Sequence, residues 1–259
     1  MPMPGTFPSA DYRAILLTGA SSGIGRELAL AYAAHGTELH LCGRDRERLA
    51  LTAEACRRRG AAVSERVADV TDAPAMEAWV TECDRRSPLD LVIANAGIYA
   101  GTEDGGDETA EQTRAVFDTN LSGTLNTVLP VLPAMRGRRR GHIALVSSFA
   151  GFRGHGTMPA YCGSKAAVRV WGEALRDWLA ADGVQVTVIC PGKVRTASCQ
   201  TPGDHVLGAA AAARLIRNGI RANQARVAFP SGAYARAWTS AAIPPPVREW
   251  LHALKGNGR

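Results

Sequence analysis

Lysine is scarce in this chain of 259 residues: of its 30 basic residues only Lys165, Lys193 and Lys255 are lysines, and all the others are arginines. Aromatic residues are few as well, at 6%. No apolar run approaches the roughly 18 to 20 residues that a spanning helix needs, so we expect no membrane span. Met1 to Asp11 are proline-rich without a basic segment or an apolar core, which predicts a flexible arm over 1–12 rather than a signal peptide.

Cysteine pairs and metal-ligand spacings are absent too. The six cysteines form no C-x-x-C pair, and most fall inside predicted strands or helices, which is typical of reduced thiols in a cytoplasmic protein. The six histidines show no ligand spacing, so we predict no metal site.

The composition is that of a globular protein with a basic balance. Apolar residues make up 46%, charged residues 21%, and the formal net charge is +6. Positive charge suits an anionic ligand such as a dinucleotide phosphate, and it would also suit nucleic acid. The densest basic run, over 136–140, contains glycine and no aromatic residue, which favours a solvated turn. We therefore expect no nucleic-acid partner.

Short apolar runs alternate with helical periodicities along the chain. The predicted strands are Ala14–Thr18, Glu38–Cys42, Val63–Ala68, Leu89–Ala94, His142–Ser147, Val184–Cys190 and Arg226–Phe229. The predicted helices are a first one through Ile24 and Tyr32 that Gly36 closes, then 46–59, 73–86, 108–135, 159–181 and 205–222, with Pro130 and Pro133 disturbing the end of the fourth. This alternation predicts an α/β protein, a doubly wound parallel sheet of about seven strands with helices on both faces.

A glycine-rich turn follows the first strand. Gly19 permits a tight turn, Gly23 lets a pyrophosphate approach, and Gly25 lets the next helix pack on the sheet. Ser21 and Ser22 can donate to phosphate oxygens, and the helix N-terminus adds free N–H groups. The strand–turn–helix context favours a phosphate-binding turn over an ordinary glycine-rich one.

The spacing G-x-x-x-G-x-G in this turn resembles that of the short-chain dehydrogenase/reductase family, a Rossmann-type fold. Five further segments resemble the family's motifs in the same order on the expected elements. They are Asn95-Ala96-Gly97, Asn120, Ser148, Tyr161 with Lys165, and Pro191-Gly192-Lys193-Val194-Arg195-Thr196. Asp69-Val70 resembles the family's adenine-contacting pair. Together the matches resemble the compact, single-domain branch of the family.

The resemblance implies one dinucleotide-binding and catalytic domain over 13–259. A polar stretch at about 193–210 predicts a lid loop above the cleft. The C-terminal segment 231–259 is atypical, because it lacks the final D-G-G segment that many tetrameric members pack at a subunit interface. From the family we expect a homodimer built on the helices at 108–135 and 159–181, or a homotetramer. Three roles stay open for the apolar residues of 247–254: they pack on their own domain, they cover an active site, or they contact a membrane surface.

Tyr161 and Lys165 carry the strongest chemical signal. Positions i and i+4 share one face of a helix, so the phenol and the ammonium can share one pocket. A free tyrosine titrates near pH ~10, and a nearby cation lowers that pKa. Tyr161 can then give a proton to a carbonyl oxygen as hydride arrives, or remove one from an alcohol.

The remaining roles are implied by the resemblance. Ser148, thirteen residues before Tyr161, would bind the substrate oxygen, with Ser147 as the alternative. Asn120 would hold a water in a proton relay to Lys165, which would also bind the nicotinamide ribose. The implied cofactor contacts are Gly19, Ser21, Ser22, Gly23, Ile24, Gly25, Arg44, Asp69, Val70, Asn95, Ala96, Gly97, Tyr161, Lys165, Pro191, Gly192, Val194 and Thr196.

The end of the second strand bears on the choice of cofactor. NAD-selective folds place an acid there, and NADP-selective folds place an arginine nearby. Here the acid's position falls on Cys42 or Gly43, and Arg44 can fork onto a phosphate. We therefore favour NADP (NADPH) over NAD. The alternative is that Arg44 is merely exposed and Asp45 caps the next helix, while a shift of one residue would bring Asp45 to the ribose.

The sequence thus predicts an NADP(H)-dependent oxidoreductase that transfers a hydride between nicotinamide and a secondary alcohol/ketone pair. The alternatives are an NAD-preferring dehydrogenase and a non-catalytic NAD(P)-binding sensor, which would not need Asn120, Ser148, Tyr161 and Lys165 together. A sugar-nucleotide epimerase or dehydratase would need more residues after Thr196. The small-molecule carbonyl or alcohol substrate is set by 97–107, 149–160 and 195–210, which carry no recognisable signature.

Overall fold

Seven parallel strands form the centre of the computed structural model, which describes residues 12–102, 107–196, 206–244, 246–247 and 250. The described residues form nine strands, the seven of this sheet and two short ones outside it: β1 (Ala14–Thr18), β2 (Glu38–Gly43), β3 (Ala62–Val67), β4 (Leu91–Ala94), β5 (Gly141–Val146), β6 (Val184–Pro191), β7 (Val194–Arg195), β8 (Leu207–Gly208) and β9 (Arg226–Phe229). The sheet order is β3-β2-β1-β4-β5-β6-β9, and β7 pairs separately with β8. The predicted doubly wound parallel sheet is confirmed, and its order reverses between β1 and β4, where such sheets bind ligands.

Helices cover both faces of this sheet. They are α1 (Gly23–Tyr32), α2 (Arg46–Arg57), α3 (Ala73–Arg86), α4 (Ala110–Phe117), α5 (Gly123–Val128), α6 (Leu132–Gly137), α7 (Pro159–Leu179), α8 (Ala209–Arg221) and α9 (Ser231–Ala242). Successive strand residues point to opposite faces. Ile15 and Leu17 therefore join a core with α1, α2 and α8, whereas Leu16 joins a second core with α3, α5 and α7.

Two helix predictions need correction. The first helix ends at Tyr32 rather than at Gly36, because Gly36, at φ +80°, forms the turn that leads into β2. The predicted helix over 108–135 is three helices, joined by a π-helical turn at Asp118–Ser122 and a 3₁₀ turn at Leu129–Val131. The irregular end expected from Pro130 and Pro133 is present. Residue 205 of the predicted 205–222 helix lies outside the described residues.

Two further predicted segments, the N-terminal arm and the lid loop, lie only partly within the described residues. Tyr12, assigned to the flexible arm, is anchored: its hydroxyl lies 2.7 Å from His142 Nδ1, and the rest of the arm lies outside the described residues. In the predicted lid loop, β7 and β8 form a short ribbon on either side of residues 197–205, which also lie outside the described part.

Within the atypical C-terminal segment, α9 was not predicted. Tyr234 on this helix stacks on Phe149, with ring centroids 6.0 Å apart, and also meets Phe152 edge-on. Among the described residues, no helix has the length and apolar character needed to cross a membrane.

Candidate active site

The glycine turn lies at the reversal point of the sheet, between β1 and α1. Gly19 and Gly23 adopt φ +69° and +56°, the left-handed region that side chains disfavour. Gly25 is closely packed: a Cβ there would lie 2.1 Å from the Gly19 carbonyl oxygen and 2.5 Å from Asn95 Nδ2. Backbone contact at Gly25 and positive φ at Gly19 and Gly23 explain why glycine stands at each position.

This turn offers an anion site. Ser22 is the N-cap of α1 and makes no side-chain cap bond, and the first turn contains no acidic residue. A cavity of about 480 Å³ opens beside it. It is lined by Ser21, Ser22, Gly23, Arg26, Glu27, Arg48, Leu51, Arg195, Thr196 and Ala209. Arginines outnumber acids in this lining, so the residues present fit a dinucleotide phosphate at the helix N-terminus.

The end of β2 lies against the glycine turn. Gly43 lies under Ser21, because a Cβ at Gly43 would be 3.1 Å from Ser21 Cβ. The Arg44 side chain is 62% exposed and lies 3.5 Å from Asp69 Oδ2. Asp45 caps α2 by accepting the Arg48 backbone N–H at 2.9 Å and the Arg48 Nε–H at 2.7 Å. Those two donors hold the pKa of the Asp45 carboxyl below its usual value.

Asp69 and Val70 follow β3 and point in different directions. Burial acts to raise the pKa of Asp69, but hydrogen bonds from Thr71 and the Arg44 guanidinium lower it overall. Val70 is buried against Gly123, where a Cβ would lie only 2.4 Å from Val70 Cγ2. Val70 therefore contributes a fixed apolar position, whereas Asp69 forms an exposed ion pair with Arg44.

Asn95-Ala96-Gly97 connects the glycine turn with the reactive residues. Thr18 Oγ1 accepts the backbone N–H groups of Asn95 and Ala96, and Asn95 Nδ2 donates to the carbonyl oxygens of Thr18 and Gly19. Gly97 is exposed, and a Cβ there would meet Asn120 Oδ1 at 3.0 Å and Lys165 Nζ at 3.2 Å.

Asn120 lies in the π-helical turn and is fully buried. Its Oδ1 accepts the Ile98 N–H at 2.8 Å, while its Nδ2 donates to the Ile98 carbonyl at 3.0 Å and to Ser164 Oγ at 3.1 Å. Ser164 Oγ in turn donates to the Tyr161 carbonyl. The carboxamide thus ties the segment after β4 to the first turns of α7, and such π-turns are frequent at functional sites.

The two serines after β5 have different surroundings. Ser147 is buried, and its hydroxyl donates to the Lys165 carbonyl oxygen at 2.7 Å. Ser148 is partly exposed, and its Oγ accepts the Ala150 N–H at 3.1 Å, a bond that leaves its own proton available to another acceptor. Ser147 therefore makes a structural contact, whereas the hydrogen bond described for the Ser148 hydroxyl uses it as an acceptor.

Tyr161 and Lys165 lie together on the first turns of α7. Lys165 Nζ is 5.9 Å from the centroid of the Tyr161 ring and donates to the Val146 carbonyl at 2.9 Å. Burial lowers the pKa of Lys165 to about 8, against a smaller opposing effect of Cys190. The arrangement brings a buried cation and a partly exposed phenol beside Gly97 and Asn120.

The loop after β6 closes the site. Pro191 and Val194 are buried, and the Gly192 N–H donates to the Phe229 carbonyl at 2.8 Å. A Cβ at Gly192 would lie 3.0 Å from the Phe149 ring. Thr196 reaches back to the glycine turn, with its Cγ2 3.2 Å from the position of a Cβ on Gly23. Ile24, the last of the predicted cofactor residues, packs partly buried against the core beneath the turn.

Two residues of the site were not predicted. The Tyr99 ring packs edge-on against Tyr161, with centroids 5.2 Å apart. The Glu108 carboxylate accepts the Ala160 N–H at 3.1 Å, at the start of the helix that carries Tyr161, where Met158 provides no side-chain cap. Glu108 lies more than 50 residues from its partner in sequence, so no local pattern indicates its role.

The family model described as short chain dehydrogenase matches residues 13–206. The chain belongs to the short-chain dehydrogenase/reductase family, and it is an oxidoreductase of that family with a nicotinamide-binding fold.

Two curated relatives show how far the similarity extends. An uncharacterized oxidoreductase of Myxococcus xanthus is 39% identical over 224 residues, which are 85% of this chain and 88% of that protein. Probable oxidoreductase EphD of Mycobacterium tuberculosis is 39% identical over 197 residues, which are 75% of this chain. The match spans only 33% of EphD's own length.

Two solved structures extend the comparison to three dimensions. A short chain dehydrogenase/reductase from Burkholderia phymatum in complex with NAD has a TM-score of 0.81 at 25% identity, covering 89% of this chain and 93% of that one. An actinorhodin polyketide ketoreductase variant with NADPH has a TM-score of 0.76 at 27% identity, covering 85% and 97%.

Proposed function

We propose that this chain is an NADP(H)-dependent oxidoreductase that interconverts a ketone and a secondary alcohol, with Tyr161 as general acid and base. The observation that carries the proposal is the placement of the Lys165 ammonium 5.9 Å from the Tyr161 ring centroid, beside an exposed Gly97. A cation this close favours the phenolate form of a tyrosine, which supports proton exchange by the phenol.

A bound nicotinamide would supply hydride to the substrate carbon in reduction, or accept it in oxidation. In reduction, Tyr161 Oη gives its proton to the carbonyl oxygen, and in oxidation the phenolate takes the alcohol proton. Ser148 donates a hydrogen bond to the same oxygen and orients it. The Lys165 ammonium stabilises the phenolate, and Asn120 holds the turn that carries Tyr161 in register with Ile98.

The glycine turn and its neighbours would hold the cofactor. The pyrophosphate would lie at the N-terminus of α1 beside Ser21 and Ser22, and Gly97 and Thr196 would border the nicotinamide half. Lys165 would bind the nicotinamide ribose. Each position named here carries a residue of the type that its proposed contact needs.

Two observations support NADP over NAD. Asp45, the acid nearest to the end of β2, already accepts two hydrogen bonds from Arg48, so its oxygens are engaged in capping α2. Arg44 is 62% exposed and follows Gly43, which lies against Ser21 of the glycine turn, and there a guanidinium can fork onto the 2′-phosphate.

The catalytic proposal is tested with Tyr161→Phe on a panel of ketones with NADPH and of secondary alcohols with NADP. We expect a loss of activity of about 10²- to 10⁴-fold, since the proton donor is removed. Cofactor affinity, measured by fluorescence, should remain. Tyr32→Phe is the matched control, because it deletes a phenol oxygen from the far end of α1. A Tyr161→Phe variant with more than about a tenth of wild-type activity contradicts the proposal.

The cofactor proposal is tested with Arg44→Ala. Loss of a charge-assisted contact should weaken NADPH binding about 10- to 100-fold and leave NADH binding nearly unchanged. Arg58→Ala is the matched control, because Arg58 is an exposed arginine at the far end of α2 that pairs with Glu54. Equal weakening of both cofactors, or of neither, would refute the assignment of Arg44.

We also propose that two copies pair through α4–α6 and α7. Leu129, Val170 and Trp178 are at least half-exposed on these helices, and Leu129 and Trp178 line the same surface cavity. A shared exposed apolar patch is typical of a protein–protein contact. Light scattering should show a dimer or a tetramer, and Val170→Glu should shift it toward monomer. A monomeric wild-type chain at micromolar concentration would contradict this proposal.

A further inference from the structure

The helix α9 packs on the short turn that carries Ser148. This serine turn, residues 148–152, is a single 3₁₀ turn after β5. Phe149 in the turn stacks on Tyr234 of α9, with ring centroids 6.0 Å apart and an interplanar angle of 28°. Phe152, at the end of the turn, meets Tyr234 edge-on at 5.7 Å. One side chain of α9 therefore contacts both aromatic rings of the serine turn.

Phe149 also contacts the loop after β6. A Cβ on Gly192 would lie 3.0 Å from Phe149 Cε2 and 3.1 Å from its Cδ2, so the Gly192 backbone packs against this ring. Gly192 is fixed in turn, because its N–H donates to the Phe229 carbonyl at 2.8 Å. Phe149 thus has a neighbour in α9 and another in the loop that closes the site, and close packing lets it move little while both stay in place.

Tyr234 is anchored at its polar end. Its hydroxyl accepts a hydrogen bond from the Arg226 guanidinium at 2.8 Å, and the same guanidinium donates to Glu173 on α7. Glu173 pairs with Arg169 as well, and Arg169 Nε donates to the Gly151 carbonyl in the serine turn at 3.1 Å. The contacts therefore run from α9 through β9 and α7 back to the serine turn.

Ser148 is tied to the backbone of the same turn. Its Oγ accepts the Ala150 N–H at 3.1 Å, and its carbonyl oxygen accepts the Gly151 N–H at 3.0 Å. Gly151 lies directly against α7, because a Cβ there would be 2.7 Å from the Lys165 carbonyl oxygen. The place of the Ser148 hydroxyl therefore follows the turn, and a shift of the turn would move this hydroxyl relative to the Tyr161 phenol.

Resting on the proposed function, in which Ser148 orients the substrate oxygen, we propose that Tyr234 is a positioning residue for Ser148. Its ring holds Phe149 and Phe152, and these two rings hold the serine turn. A misplacement of about 1 Å in such a group can cost about 10²-fold in rate. This gives α9, in the atypical C-terminal segment, a part in the working of the site.

A double-mutant cycle separates this role from mere attachment of α9 to the domain. Tyr234→Ala should lower kcat/KM about 10-fold for the ketone that wild type reduces fastest with NADPH, since two aromatic contacts are lost. Ser148→Ala should cost about 10²- to 10³-fold. Adding Tyr234→Ala to Ser148→Ala should then cost less than about twofold, because the positioned residue is gone. Tyr234→Phe keeps the ring and should stay within about threefold of wild type.

Hydrogen exchange of the Ala150 N–H measures the serine turn without turnover. In the cofactor-free protein, Tyr234→Ala should speed this exchange about 10-fold and leave the amides of β5 within about twofold of wild type. Arg236→Ala is the matched control, because it truncates a large exposed side chain of α9 two residues further on, where a helix does not present the same face. It should leave both the exchange and kcat/KM within about twofold of wild type.

The outcomes separate the two proposals. An equal cost of Tyr234→Ala with and without Ser148, or an unchanged exchange of the Ala150 N–H, overturns the role of Tyr234 and leaves the proposed function standing. A Tyr234→Phe variant as impaired as Tyr234→Ala does the same, because the ring is then not what positions the turn. A wild type that binds NADPH and turns over no ketone or alcohol of the panel overturns the proposed function itself, whatever the exchange shows.

Discussion

Replacing Lys165 by methionine should change how stability responds to alkaline pH. The folded-state pKa of Lys165 is about 8, below its ordinary value of 10.5. As pH rises, the folded chain therefore loses this proton first, and between about pH 8 and 10.5 the unfolded chain binds more protons. The contribution of Lys165 to the free energy of unfolding therefore rises with pH across that window. At 1.36 kcal/mol per pKa unit the full gain is about 3 kcal/mol, of which about 2 kcal/mol is present at about pH 9.5.

The assay is urea unfolding of the cofactor-free protein at fixed concentration from neutral pH to about pH 9.5. The difference in unfolding free energy between wild type and Lys165→Met should grow by about 2 kcal/mol over this range. Lys193→Met removes an exposed lysine and should follow wild type throughout. If the Lys165→Met and wild-type curves run parallel, the ammonium is not held at a lowered pKa, and its burial has been misjudged.

Three other perturbations have definite outcomes. Burial lowers the pKa of His142 from 6.5 to about 3, so the unfolded chain takes up this proton first as pH falls. About 2 kcal/mol of unfolding free energy should therefore be lost by about pH 5. In urea titrations, the unfolding free energy of His142→Gln should depend less on pH than that of wild type. Gly25→Ala should abolish cofactor binding or folding, because its Cβ overlaps the Gly19 carbonyl, whereas Gly137→Ala, with open space around it, should keep the near-wild-type fluorescence titration with NADPH. Glu108→Ala should lower unfolding stability by about 1 kcal/mol through loss of the cap on α7, and Glu108→Gln should recover part of it; equal stability of both variants and wild type would contradict the capping role.

The central fold was predictable because its signals are local. The strands that end near the site are short apolar runs, and β9 and α3 have the predicted bounds. In α3, Asp72 accepts the Ala75 N–H and Pro74 occupies the first turn, both of which are recognisable start signals. The end of α1 was predicted wrongly, since a glycine with positive φ can serve a later turn as well as a helix end.

The C-terminal helix α9 could not be predicted in the same way. The usual start and stop signals are missing from it, because no side chain caps its start, its first turn has no acid and its last turn has no base. It is held instead by Tyr234 on Phe149 and Phe152, and by the Arg226 guanidinium donating to Tyr234 Oη at 2.8 Å. The two phenylalanines come from a distant part of the chain, whereas Arg226 lies eight residues before Tyr234.

The candidate site likewise combines local features, which the sequence indicates, with tertiary contacts, which it does not. The i, i+4 spacing of Tyr161 and Lys165 and the glycine turn are visible in sequence, because one helix or one turn contains all their members. Tyr99 and Glu108 reach α7 only through tertiary contacts. Asn120 has Ile98 and Ser164 as its hydrogen-bond partners, and these contacts depend on how the π-helical turn faces the end of β4. The assigned roles of these residues remain predictions.

The close approach of Gly43 to Ser21 limits how this enzyme could be re-engineered toward the other nicotinamide. An acid that reaches a ribose from the end of β2 would stand at Cys42, which is fully buried, or at Gly43, where the first carbon of any side chain arrives 3.1 Å from Ser21 in the glycine turn. Recruiting Asp45 instead would strip α2 of its cap. Either change would therefore disturb the local packing or remove a helix cap. Compensating substitutions at Ser21 or at the start of α2 would have to accompany it.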